Sequence, residues 1–169
     1  MFNNLYVEKY RPKTLSDLVL SDSNRKYFES IAEEIPNLLF VGTPGLGKTT
    51  LARILVNDIL ECQYLYINAS DENGIDTIRS KVVGFSQTKS LDGKHKVVIL
   101  DEADGITIDG QRALRNTMEE YSSMTRWVTA TPGIILHTFG SFSCQHIWIG
   151  SSFPCIFDRF MKVNPNFIL

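Results

Sequence analysis

Four short apolar runs punctuate the chain: Leu38-Leu39-Phe40-Val41, Tyr64-Leu65-Tyr66-Ile67, Val97-Val98-Ile99-Leu100 and, less sharply, Trp127-Val128-Thr129-Ala130. Unbroken apolar runs of this length predict strands covered on both faces. Between them the period changes. Tyr27, Phe28 and Ile31 fall on one face of a helix over 21–34, with Ser21 as its N-cap. Leu51, Ile54, Leu55 and Ile59 share a face over 48–60, Ile75, Ile78, Val82 and Phe85 form a third stripe, and Leu114, Met118 and Tyr121 a fourth. Strands alternating with amphipathic helices predict an α/β fold, a parallel sheet flanked by helices.

The pattern breaks at Arg126. Residues 1–126 hold 33 charged side chains, whereas 127–169 hold three, Asp158, Arg159 and Lys162. The tail also has both tryptophans and six of the ten phenylalanines, with neither helical nor strand periodicity. The expectation is a core over 1–126 and an atypical tail over 127–169. That tail reads as an out-of-frame or mispredicted extension, because folded sequences are locally consistent and this one is not. The other reading is a divergent short protein whose apolar tail packs on a partner.

Composition narrows the setting. Residues 1–20 lack the apolar core of a signal peptide, and no run is long enough to cross a bilayer, so no membrane partner is expected. Cys62, Cys144 and Cys155 are odd in number and lack metal-ligand spacing, which suits a reducing compartment: cytoplasm, or the nucleus of a eukaryote. The net charge of −2 leaves nucleic acid open as a partner, since the distribution of charge over faces decides that.

Chemistry concentrates in two places. Gly42, Thr43, Pro44, Gly45, Leu46, Gly47, Lys48 and Thr49, with Thr50 next, fill the pattern G-x-x-x-x-G-K-S/T directly between a predicted strand and a predicted helix. Glycines let such a loop turn its N–H groups inward, where they and the helix N-terminus solvate phosphates. Lys48 then supplies charge to the β- and γ-phosphates, and the Thr49 hydroxyl a ligand for Mg2+. About fifty residues on, the third apolar run ends in Asp101-Glu102-Ala103-Asp104. The carboxyl ends of parallel strands face the ligand crevice, which assigns Asp101 to the Mg2+ and Glu102 to the attacking water. Lys48, Asp101 and Glu102 are the candidate catalytic residues, and ATP with Mg2+ the expected ligands.

Three further stretches carry a resemblance. Val7-Glu8-Lys9-Tyr10-Arg11-Pro12, Asn68-Ala69-Ser70-Asp71-Glu72 with Gly74-Ile75-Asp76 and Arg79, and Asp104 through Tyr121 resemble the AAA+ clamp-loader family: the small subunits of replication factor C and the large subunit of phage clamp loaders. The likeness covers roughly 5–127. It implies a P-loop NTPase fold, incomplete on its C-terminal side, and an ATPase that loads a sliding clamp onto primer-template DNA with other loader subunits. It implies that Val7, Tyr10, Arg11 and Pro12 border the adenine, and that Arg79, Lys81, Arg112 and Arg115 meet the DNA backbone. Taken singly, those four cations also read as solvated helix-face charges. Past Arg126 the family's sensor asparagine, its Ser-Arg-Cys element, its lid and its collar are not recognisable; Thr131 or Pro132 stands where the asparagine is expected. A chain without that arginine receives a trans arginine but does not give one, and is expected to be a weak ATPase alone. Competing readings are another AAA+ protein (a Holliday-junction helicase or helicase loader), a non-catalytic nucleotide-binding fragment, and a small-molecule phosphotransferase.

Overall fold

All four apolar runs are strands: β1 (Asn37–Val41), β2 (Tyr64–Asn68), β3 (Lys96–Asp101) and β4 (Thr125–Thr131). The computed structural model describes residues 10–32, 35–72, 74–88, 90 and 93–132, together with the backbone of 144–148 and 167–168. Those last two segments pair as β5 (Cys144–Trp148) and β6 (Phe167–Ile168). The strand order is β2-β3-β4-β1-β5-β6, and every pairing is parallel.

The composition break falls inside a strand. Trp127 to Thr131 complete β4, which lies between β3 and β1 with Val128 opposite both Ile99 and Leu38. Thr125, Thr129 and Thr131 make this run look weak in sequence, yet all three are buried. Threonine is β-branched and fits a pleated surface, and Thr125 shares a hydrogen bond of 3.1 Å with Ser86.

Four helices cover the sheet: α1 (Asp22–Ser30), α2 (Lys48–Ile54), α3 (Ile75–Gln87) and α4 (Ile108–Glu120). Ser21 caps α1, its hydroxyl accepting from the Asn24 N–H at 3.3 Å. This helix ends earlier than its periodicity predicts, and in its last turn the Tyr27 carbonyl accepts from both the Ser30 hydroxyl and the Ile31 N–H. Helix α2 continues into a wider turn over Leu55–Ile59, where Leu60 N–H reaches back to the Leu55 carbonyl at 2.9 Å.

Strand alternation sorts the core into two layers. Leu38, Phe40, Val97, Ile99, Val128 and Ala130 face α1 and α2, against Phe28, Leu51, Ile54 and Leu55. Leu39, Val41, Val98, Leu100 and Trp127 face α3 and α4, against Ile78, Val82, Leu114 and Met118. Phe28 is fully buried, edge-on to Phe40 at 6.0 Å and to Tyr27 at 5.6 Å, and burial pushes the Tyr27 hydroxyl pKa up to about 12. Phe28→Ala should lower stability by about 3–5 kcal/mol in urea melts, and Ser21→Ala by about 1 kcal/mol; equal small losses would contradict this assignment of the core.

Candidate functional site

Parallel pairing brings the carboxyl ends of all four strands to one edge, and the chemistry-bearing residues collect there. The loop of residues 42–49 leaves β1, and Gly42 N–H keeps a long hydrogen bond (3.4 Å) to Thr131 O at the end of β4. Left-handed backbone falls at Gly45 (φ 86°) and Gly47 (φ 82°), the latter standing immediately before α2. Both positions have open space around a would-be Cβ, so backbone conformation is what calls for glycine there.

Lys48 is 9% exposed, and its ammonium donates to the carbonyl oxygens of Gly42 (2.7 Å) and Thr43 (3.0 Å) across the throat of the loop. Burial lowers its pKa, while the charges of Asp101 and Asp104 oppose that shift. One residue on, the Thr49 hydroxyl donates to Asp101 Oδ2 at 2.6 Å. The two motifs, remote in sequence, therefore meet directly. Asp101 is 7% exposed and held at both oxygens: Tyr66 OH also donates to Oδ2 at 2.9 Å, and Glu102 N–H to Oδ1 at 3.1 Å.

Glu102 sits just beyond β3 with φ 51° and ψ 42°, a conformation that is uncommon for a non-glycine residue and concentrates at functional sites. Its side chain is exposed, beside a cavity of about 300 Å³ that Pro44, Gly45, Lys48, Thr49, Asp101, Glu102 and Thr131 line. Ser70, Asp104 and Pro132 line the same cavity. Sequence reasoning gave neither Ser70 nor Asp104 a role in the site. The signal for both was their position just past a strand end.

The remaining expected site residues lie elsewhere. Val7 is outside the described residues. Tyr10 is well exposed, and Arg11 and Pro12 are half-buried. The chain after them is fastened to the first layer: Leu15 N–H donates to Asp58 (3.2 Å), and Arg25 donates to the Leu15 and Leu18 carbonyls at 3.0 and 2.9 Å. Of the four cations assigned to DNA, Lys81 pairs with Glu72 at 2.5 Å, Arg112 with Asp109 at 3.2 Å and Arg115 with Glu119 at 3.1 Å. Arg79 is exposed and forms no ion pair among the described residues. Tyr66 is the residue that sequence reasoning missed at the site; it was read only as part of an apolar strand.

A parallel sheet between helices, with a glycine-lysine-threonine loop and an Asp-Glu strand end on one edge, defines a P-loop nucleoside-triphosphatase core. The chain belongs to the ATPase family associated with various cellular activities (AAA), which matches residues 38–138. It is similar to the replication factor C small subunit of Saccharolobus solfataricus, 49% identical over 135 residues that cover 75% of this chain and 40% of the relative. It is also 44% identical to replication factor C subunit 4 of Saccharomyces cerevisiae, over 74% of this chain and 41% of that protein. The chain thus spans about two fifths of the length of these curated relatives. The solved structure of the Thermotoga maritima RuvB Holliday junction branch migration motor shares the fold, with TM-score 0.60 and 20% identity over 82% of this chain and 48% of that one. No helix among the described residues is long and apolar enough to cross a membrane.

The left-handed loop gives a direct test. Gly47→Ala puts a Cβ on a φ of 82° without steric contact and should cost about 1–2 kcal/mol in denaturant melts. A neutral result would mean that the loop turns differently.

Proposed function

We propose that this chain is the ATP-binding and hydrolysing part of a clamp-loader subunit, which with partner subunits places a sliding clamp on primer-template DNA. The observation that carries the catalytic half of this reading is the 2.6 Å contact between Thr49 and Asp101, which joins the phosphate loop to the acidic strand end. The replication factor C relatives support the loading half.

In this reading the loop amides of 42–49 and the N-terminus of α2, with Thr50 in its first turn, solvate the β- and γ-phosphates. Lys48 already lies across the loop throat and needs only a small swing to add its charge. Val7, Tyr10, Arg11 and Pro12 border the adenine. Thr49 Oγ1 and the Asp101 carboxylate are hard oxygen donors side by side on the cavity, a set that suits Mg2+, an ion that keeps most of its waters and takes few protein ligands. Mg2+ held there would neutralise charge on the phosphate oxygens. Glu102, exposed at the cavity on its left-handed backbone, orients water and accepts its proton. Arg79, Lys81, Arg112 and Arg115 contact the DNA backbone, which positions the duplex without reading sequence. The three surface ion pairs among them are weak enough to exchange carboxylate for phosphate.

Calorimetry with ATP tests the first half. Lys48→Ala should weaken binding by at least about 30-fold, the loss expected when a buried charge partner is truncated. Glu102→Gln should keep ATP binding and lower turnover by about 10²–10⁴-fold. Binding with no Glu102-dependent turnover would favour a non-catalytic nucleotide-binding fragment. Turnover that rises when a sliding clamp and primer-template DNA are added, with the remaining subunits present, would support loading; turnover indifferent to the clamp would favour another AAA+ motor.

A further inference from the structure

Tyr66 stands in a four-residue arrangement that the phosphate-loop reading does not use. Thr49 and Arg53 are one helical turn apart on α2 and so present side chains to the same face. Tyr66 and Asp101 lie on neighbouring strands: Asn68 is the register partner of Asp101, and Tyr66 is two residues before it on the same face of β2. The helix pair meets the strand pair. The Thr49 hydroxyl donates to Asp101 Oδ2, the Arg53 guanidinium lies over the Tyr66 ring at 4.5 Å, and Tyr66 OH closes the figure by donating to the same Oδ2 at 2.9 Å.

Three donors fall within the roughly four that a carboxylate accepts, and two of them are hydroxyls on the same Oδ2. The two donors also differ in what they can do. Thr49 borders the cavity, and its oxygen keeps lone pairs for a cation while its proton stays on Asp101. Tyr66 is not among the residues lining the cavity. It approaches from beneath and is seated by Arg53, and so can stay bonded throughout.

We propose that Tyr66 is a positioning residue for Asp101, holding Oδ2 in place from outside the cavity, and that Arg53 seats the Tyr66 ring for this task. The proposal rests on the reading of Thr49 and Asp101 as cation ligands. Groups that orient a ligand from behind set metal affinity by tenfold or more when removed. The effect on nucleotide binding without metal should be small, because Tyr66 does not line the cavity.

The experiment uses the 169-residue chain and a fluorescent ATP analogue, titrated first in EDTA and then against rising Mg2+. Tyr66→Phe deletes one oxygen and keeps the ring. It should leave the affinity in EDTA within about twofold, lower the melting temperature by a few degrees, and raise the half-saturating Mg2+ by about tenfold. Arg53→Met should shift the same midpoint in the same direction by a smaller factor, and serves alone if Tyr66→Phe does not fold. An unchanged Mg2+ midpoint in the variants overturns the proposal, as does a loss of affinity equal in EDTA and in Mg2+, which would mark a merely structural role. Asp101→Asn is the control on the underlying reading. If it too leaves the Mg2+ dependence intact, Asp101 is not a cation ligand; if it abolishes that dependence while Tyr66→Phe does nothing, only the role of Tyr66 fails.

Discussion

A buried carboxylate has to be satisfied, and the upper edge of this fold is arranged around one. Asp101 comes off the end of a strand whose other residues are fully enclosed, and its own side chain is nearly so. Left without donors, such a group would cost several kcal/mol. The donors come from three directions: Thr49 from the first turn of α2, Tyr66 from β2, and the Glu102 N–H from the chain's own next residue. Each bond fixes one element relative to β3. The left-handed turn at Glu102 follows directly on that last bond, leaving the Glu102 side chain exposed beside the cavity, so the acid pair divides into one held and one free carboxylate. Lys48 obeys the same rule with opposite sign, its buried ammonium satisfied by two loop carbonyls.

The legible parts of the fold are those where one local signal decides. Long apolar runs gave β1, β2 and β3 almost to the residue, and the loop pattern between a strand and a helix gave the site's location. The α1 N-terminus, with the Ser21 hydroxyl accepting from Asn24 N–H, follows from cap chemistry that is written locally. Strand order is not written that way. Nothing in residues 125–131 announces that β4 separates the loop strand from the acidic strand, and its buried threonines read as polar. The break in charge density at Arg126 is real as composition, yet β4 runs across it from Thr125 to Thr131, paired on both sides.

Tyr66 shows the same limit at the site. Its alternation with Asn68 was visible, but its meaning depends on β2 pairing with β3 in one register, a long-range fact that a one-residue slip would reverse. The cations on α3 and α4 differ in how far their surroundings are written in the sequence. Their spacing to acids at i,i+3 and i,i+4 was present in the sequence for Arg112 and Arg115, whereas Lys81 finds Glu72 across the helix entry, nine residues back. Three of the four therefore pair with a carboxylate and Arg79 forms no ion pair among the described residues, so the two readings of these residues separate more cleanly for Arg79 than for the rest.

The link between that surface and the site runs along β3. At its start, Lys96 is buried with no carboxylate beside it, and its ammonium instead donates to the Phe85 carbonyl (2.7 Å) and to the carbonyl and hydroxyl of Thr88 at the end of α3, over the Phe85 ring at 4.7 Å. Burial lowers its pKa, but the carbonyl end of a helix is the natural seat for a cation, so the pairing closes α3 while anchoring it to the strand. At the other end of the same strand stand Asp101 and Glu102, and between them Val98 and Leu100 pack with Ile78 and Val82 of α3. Strand and helix are thus joined at the base by a buried hydrogen-bonded cation and along their length by close-packed side chains. Strand β3 and the helix that bears Arg79 thus share one core layer, and the acid pair stands at the end of that strand.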